Sequence, residues 1–170
     1  MISRLLGEKK DNEAKKTCAF CIWVSLVFGL CISAILLLFR TQILGLLGVS
    51  KVTYEYANAY YTWIAIGAVS IIFSMVPSNI LRTEGLAVQS MAGSIIGSIV
   101  NIIFDPIFIF GLNQGAAGAA MATVLGNIIA DIYYVYAVIK KSKRLTCSPS
   151  HMKITGRRVK DILMVGIPAS

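Results

Sequence analysis

The sequence predicts an all-α fold, a bundle of membrane-spanning helices rather than a soluble domain. Three observations predict it. Of the 170 residues 56% are hydrophobic and 14% are charged, against about 25% charged in an ordinary soluble domain. The charges are segregated: Lys16 and Arg40 bracket 23 residues without a charge, Glu55 and Arg82 bracket 26, Glu84 and Asp105 bracket 20, and Asp105 and Asp131 bracket 25. Finally, the basic residues gather in alternate loops. A helix needs about 20 apolar residues to cross roughly 30 Å of hydrocarbon, whereas a soluble helix carries a charged face. Four neutral runs in one small soluble domain would expose large apolar faces to water.

Residues 1–16 read as a polar loop, with Gly7 and mixed charge from Glu8 to Glu13. The first span covers about 17–39. A loop with Gly45, Gly48 and Ser50 follows, and the second span covers about 55–81, with Pro77 near its end. A tight turn closed by Gly85 leads to the third span, about 86–110, which contains Asn101, Asp105 and Pro106. A short turn from Gly111 to Gly115 leads to the fourth, about 116–139. Residues 140–160 form a basic loop, and 161–170 read as the start of a truncated fifth helix. The chain is expected to be incomplete, because a half-span alone has no packing role.

Alternate loops carry fourteen and two Lys or Arg residues, with eight in 140–160 and five in 1–16. The positive-inside rule then places the 1–16 loop, the turn at Arg82 and the 140–160 loop in the cytoplasm of a multi-pass protein of the cell membrane. The net charge of +8 thus marks a membrane face. Nucleic acid is excluded as a partner, since no aromatic residues interleave with the basic ones to stack bases. Cys18 and Cys21 form a lone C-x-x-C at the entry of an apolar helix, where cysteine acts as a small hydrophobe. No catalytic constellation, metal-ligand cluster or phosphate-binding loop is present, so the chain is not expected to be an enzyme or to hold a resident cofactor. No secretory signal is visible.

Polar groups inside the spans carry the functional signal, because a charge at the bilayer centre costs at least about 2.5–3.5 kcal/mol. Asn101 and Asp105 are four residues apart and share one helix face, which Ser94 and Ser98 roughly continue. Pro106 has no N–H and crowds the carbonyl of Ile102. A carboxylate, an amide oxygen and a freed carbonyl on one side suit a proton or a hard monovalent cation. The alternative is that Asp105 caps a new helical turn begun by Pro106. Counting from the outer turns, Asp105 lies roughly 9 Å deep, Asn101 roughly 15 Å and Thr123 roughly 12 Å. Tyr60 is also in the outer half, so these groups are expected to form one layer. Asp131 lies in the inner half and reads either as a second site or, the favoured alternative, as a buried structural partner of Asn127, four residues earlier. Gly93 and Gly97, with Gly115, Ala119 and Thr123, mark close helix packing.

The sequence resembles the multidrug and toxic compound extrusion (MATE) family. The matching stretches are 79–85 (NILRTEG), 101–111 (NIIFDPIFIFG) and 115–123 (GAAGAAMAT). Residues 2–7 (ISRLLG) look like the end of that family's second helix, and Gly166, Ile167 and Pro168 like the start of its seventh. The resemblance implies a partial N-terminal lobe of a twelve-helix transporter, with the four spans as the third to sixth helices. It implies cation-coupled (H⁺ or Na⁺) export of amphipathic, often cationic drugs. It also implies cation-binding roles for Asp105, Asn101 and Thr123, and more weakly Tyr60, with Na⁺ possible at Asp105. Pro106 and Pro77 would be helix kinks, Pro106 bending between transport states. The implied partners are drug molecules, the lipid bilayer and the remaining helices of the full transporter. One rival is a lipid-linked oligosaccharide flippase of the same superfamily, which favours basic residues in its cavity; no Lys or Arg lies inside these spans. Another is a non-transporting membrane fragment.

Overall fold

The computed structural model describes Gly7 and residues 11–142. The 140–160 loop from residue 143 onward, the 161–170 segment, and residues 2–6 of the opening stretch lie outside the described residues. The described chain is all-α. In order it contains α1 (Asp11–Leu38), a short α2 (Arg40–Leu46), α3 (Tyr54–Thr83), α4 (Ala87–Pro106), a π turn (Ile107–Gly111) and α5 (Gly115–Lys140). Among the described residues four helices are long and apolar enough to cross a membrane: Asn12–Leu38, Tyr54–Thr83, Ala87–Gly111 and Gly115–Lys140.

Two boundaries depart from the reading of the neutral runs. α1 already includes Asp11, so residues 11–16, expected in a loop, are helical. A neutral run measures the hydrocarbon crossing, and a helix extends past it once its polar end reaches water. The expected 40–54 loop contains α2, which ends at a glycine: Gly48 N–H donates to Gly45 O at 3.1 Å and Val49 N–H to Leu44 O at 3.3 Å, with Gly48 at φ +68°. The turn between α3 and α4 repeats this geometry. Gly85, at φ +84°, donates to Arg82 O at 3.1 Å, and Leu86 N–H donates to Leu81 O at 2.9 Å. This pair of bonds closes a helix over a left-handed residue, a role that glycine fills without steric cost.

The tightest packing lies at one end of the bundle. Ala14, Cys18 and Ile22 at the start of α1 meet Ile80 and Leu81 at the end of α3 and Tyr134, Ala137 and Val138 late in α5. α1 therefore runs antiparallel to α3 and α5. α3 packs against every other helix, and α5 is the most buried span, with 39% of its most apolar window buried, against 6% for α4. Large apolar side chains cover the outside: Phe28, Leu38, Val88, Ile102 and Phe110 are all more than half exposed. In lipid this surface carries no penalty, and helix association rests instead on close packing of small residues. α4 meets α5 at Gly97 and Gly126, where a Cβ on Gly126 would lie 2.6 Å from the carbonyl oxygen of Gly97.

Pro77 lies fully buried inside α3, which runs unbroken from Tyr54 to Thr83. With no N–H at Pro77, one helical hydrogen bond to the carbonyl of Phe73 is missing there. At Pro106 the backbone does change. α4 ends there, Ile107 N–H reaches Phe104 O, and Leu112 N–H donates to Ile107 O at 3.0 Å across the π turn. Asp105 remains within α4 and caps no new helix.

Candidate functional site

α3, α4 and α5 line an open-sided cavity of about 550 Å³. Its wall carries Ser74 of α3, Ser94, Ser98 and Asn101 of α4, and Thr123 and Asn127 of α5. The polar stripe read along the third span faces this space because Gly93 and Gly97 let α4 lie against α5. Gly93 makes room for the ring of Tyr134, and Gly97 meets Gly126 and Ala130.

Asn101 is the hinge of the polar cluster. In the orientation that gives both ends of the amide a partner, its NH₂ donates to Asp105 Oδ2 at 3.2 Å. Its carbonyl oxygen accepts from the Thr123 hydroxyl and backbone N–H, both at 3.1 Å. The Thr123 hydroxyl also has the Ala119 carbonyl within reach, at 2.9 Å, so it can turn between two acceptors. Asp105 Oδ1 is buried and has no hydrogen-bond partner among the described residues. Asp105 does not itself line the cavity; it stands behind Asn101 and reaches the cavity through the amide. The arrangement offers a carboxylate, an amide and a hydroxyl in a chain, with one carboxylate oxygen free to bind.

Hydroxyls pair at the Tyr134 end of the cavity. Ser94 Oγ and Tyr134 OH are 2.8 Å apart, and Tyr134 OH donates to the Ser90 carbonyl at 3.3 Å. Ser90 Oγ in turn pairs with Ser78 Oγ at 2.8 Å and accepts from Arg82 Nε at 3.0 Å. Composition did not single out Tyr134 or Ser90. A tyrosine among small residues on a central helix was the available signal.

Two expectations are corrected. Tyr60 does not join the layer formed by Asn101 and Thr123. It lines a different cavity, with Leu44, Tyr56 and Ala116, and is 43% exposed; equal depth places groups in one plane but does not turn them toward each other. Asp131 does not pair with Asn127. Asn127 Nδ2 donates to the Thr123 carbonyl at 3.0 Å, while Asp131 Oδ2 accepts from the Ser70 hydroxyl of α3.

A MatE family model matches residues 1–107. Multidrug export protein MepA of Staphylococcus haemolyticus is 35% identical over 168 residues, which are 99% of this chain and 37% of that protein. A structure described as the inward-facing conformation of a multidrug resistance MATE family transporter of the MOP superfamily has a TM-score of 0.91 at 30% identity. It is matched over 98% of this chain and 38% of its own. A MOP superfamily transporter from Pyrococcus furiosus, described as having a binding pocket of reverse polarity that suggests a different function, has a TM-score of 0.89 at 30% identity, over 98% of this chain and 37% of its own. The chain thus spans well under half the length of these relatives. Four membrane-length helices, a polar cavity among three of them and a family model reaching through the Asn101–Asp105 stretch lead to one conclusion: the chain belongs to the MatE family.

Proposed function

We propose that this chain supplies the cation-coupling part of a multidrug exporter, an antiporter that exchanges amphipathic, often cationic drugs for H⁺ or Na⁺. The observation that carries the proposal is the hydrogen-bonded chain from Asp105 through Asn101 to Thr123 at the wall of a polar cavity inside apolar spans. Relatives named as multidrug export proteins support it. Asp105 holds the coupling ion, and Asn101 and Thr123 present oxygens to it.

Exchange follows from the charge count. A carboxylate deep in the bilayer is costly without a counter-charge, and one carboxylate is neutralised by one monocation at a time. Coupling ion and cationic drug therefore exclude each other, so arrival of one releases the other. One-for-one exchange of monocations moves no net charge, so the concentration gradient of the coupling ion drives it; where the drug is uncharged, inward movement of one charge down 100 mV adds about 2.3 kcal/mol. The π turn after Pro106 gives α4 a place to change its path between outward and inward states, since such turns recur at functional sites. In this reading the 1–16 and 140–160 loops face the cytoplasm, and the remaining helices of the full transporter complete the cavity. No Lys or Arg lines the cavity among the described residues, which disfavours an oligosaccharide flippase.

The test is drug efflux by the full-length protein with Asp105→Asn. Efflux should fall to background while the protein still reaches the membrane. Wild-type resistance in this variant would refute the assignment. Replacing external Na⁺ with choline, or collapsing the pH gradient, then identifies the coupling ion.

A further inference from the structure

A second acid inside the spans takes no part in this mechanism. Asp131 lines a separate cavity of about 540 Å³ between α1, α3 and α5. This cavity shares no lining residue with the polar one. Its wall is built from Leu26 of α1, Val69 and Phe73 of α3, and Val124, Ile128 and Val135 of α5, and Asp131 and Ser70 are the polar side chains on it. The Ser70 hydroxyl donates to Asp131 Oδ2. Asp131 Oδ1 is buried and has no hydrogen-bond partner among the described residues.

We propose that this cavity is a second ligand site, which binds a monovalent organic cation with a hydrophobic body. Asp131 is its counter-ion and Ser70 positions the carboxylate. The occupant follows by exclusion. A proton satisfies an acid but fills no volume. A hard metal ion such as Ca²⁺ takes six to eight oxygens, and the side chains here provide three. A neutral apolar molecule would fill the space and leave a charged oxygen desolvated without a partner. A lipophilic cation meets both halves of the site, and the volume falls in the range of about 300–1,000 Å³ usual for small-molecule pockets. Ile66 and Ile132, which line the cavity, are exposed on the surface of the helix bundle, the side from which an amphiphile dissolved in the bilayer arrives. Equilibrium binding here does not depend on coupling at Asp105, so this site stands or falls separately from the antiport mechanism.

The test uses the full chain in phosphatidylcholine nanodiscs with radiolabelled tetraphenylphosphonium, and tetraphenylborate as an anion of similar shape. Tetraphenylphosphonium should bind saturably and tetraphenylborate should not. Asp131→Asn should weaken binding at least tenfold, Ser70→Ala a few-fold, and Glu55→Gln, at the exposed start of α3, less than twofold. Val135→Trp, which fills the cavity and keeps the acid, should weaken binding as Asp131→Asn does. A measurement on the unaltered chain avoids any folding defect in the variants: tetraphenylphosphonium should protect Asp131 from carbodiimide modification, located by mass spectrometry. Absence of saturable binding, unchanged binding in Asp131→Asn or Val135→Trp, or no protection of Asp131 would each overturn the site.

Discussion

Asp105 stands behind an amide and a threonine beside a polar cavity, whereas Asp131 faces aliphatic walls with one serine at its side. Both are carboxylates inside membrane-length helices, and both keep one buried oxygen without a hydrogen-bond partner among the described residues. Their residue type is the same and their surroundings are opposite. Asp105 is joined to a line of groups that can pass or share a small cation. Asp131 has a single hydroxyl and a greasy enclosure, which suit a bulky one. The presence of an acid in a membrane helix says that something positive is recognised, and the neighbouring walls say how large and how greasy it is.

The largest effect that can break this comparison is on transport. In proteoliposomes of the full-length protein, Asp105→Asn is expected to lower ion-driven drug exchange at least tenfold. Asp131→Asn should keep the ion-to-drug ratio unchanged, even where it alters apparent drug affinity. Equal loss of coupling in both variants would erase the distinction. Next is Gly126→Val, which inserts a side chain where a Cβ alone would already crowd the Gly97 carbonyl. Overpacking of this kind costs about 1–3 kcal/mol, to be read as a lower thermal unfolding temperature in detergent. The damage should fall on the polar cavity, which both glycines line, and spare tetraphenylphosphonium binding beside Asp131.

Smaller effects sharpen the comparison. Ser70→Ala removes the hydroxyl that Asp131 accepts from. Single hydrogen bonds between membrane helices reach about 1.7 kcal/mol at most, and a charged acceptor places this one toward that limit in a stability assay. Tyr134→Phe breaks the 2.8 Å pair with Ser94, an interaction between neutral groups. Its loss should be nearer the average of about 0.6 kcal/mol, and an equal or larger loss than for Ser70→Ala would reverse the expected order.

The spans and the Asn101–Asp105 face were legible because each depends on one dimension of the chain. Hydrocarbon thickness sets the length of a neutral run, and a separation of four residues puts two side chains on one face without knowledge of any neighbour. What was not legible depends on the rotation of each helix about its own axis. Depth alone put Tyr60 beside Asn101, yet its face of α3 turns toward α2 and the start of α5. Asp131 was matched to Asn127 by spacing, but its partner lies 61 residues away on another helix. Pro106 announced a disturbance without specifying its kind. Closure into a π turn also depends on Gly118, where a Cβ would lie 2.6 Å from the Phe108 carbonyl.

The π turn has a consequence for how the length of this segment can vary. A π turn closes its hydrogen bonds over five residues where an α turn uses four, so Ile107–Gly111 stores one residue in surplus. Loss of one residue there would convert the turn to α geometry and leave the face shared by Asn101 and Asp105 as it is. Loss of one residue between those two would rotate Asp105 about 100° around the helix axis, away from the amide that joins it to Thr123. Among sequences descended from a common ancestor, single-residue gaps should therefore gather after Pro106 and be absent between Asn101 and Asp105.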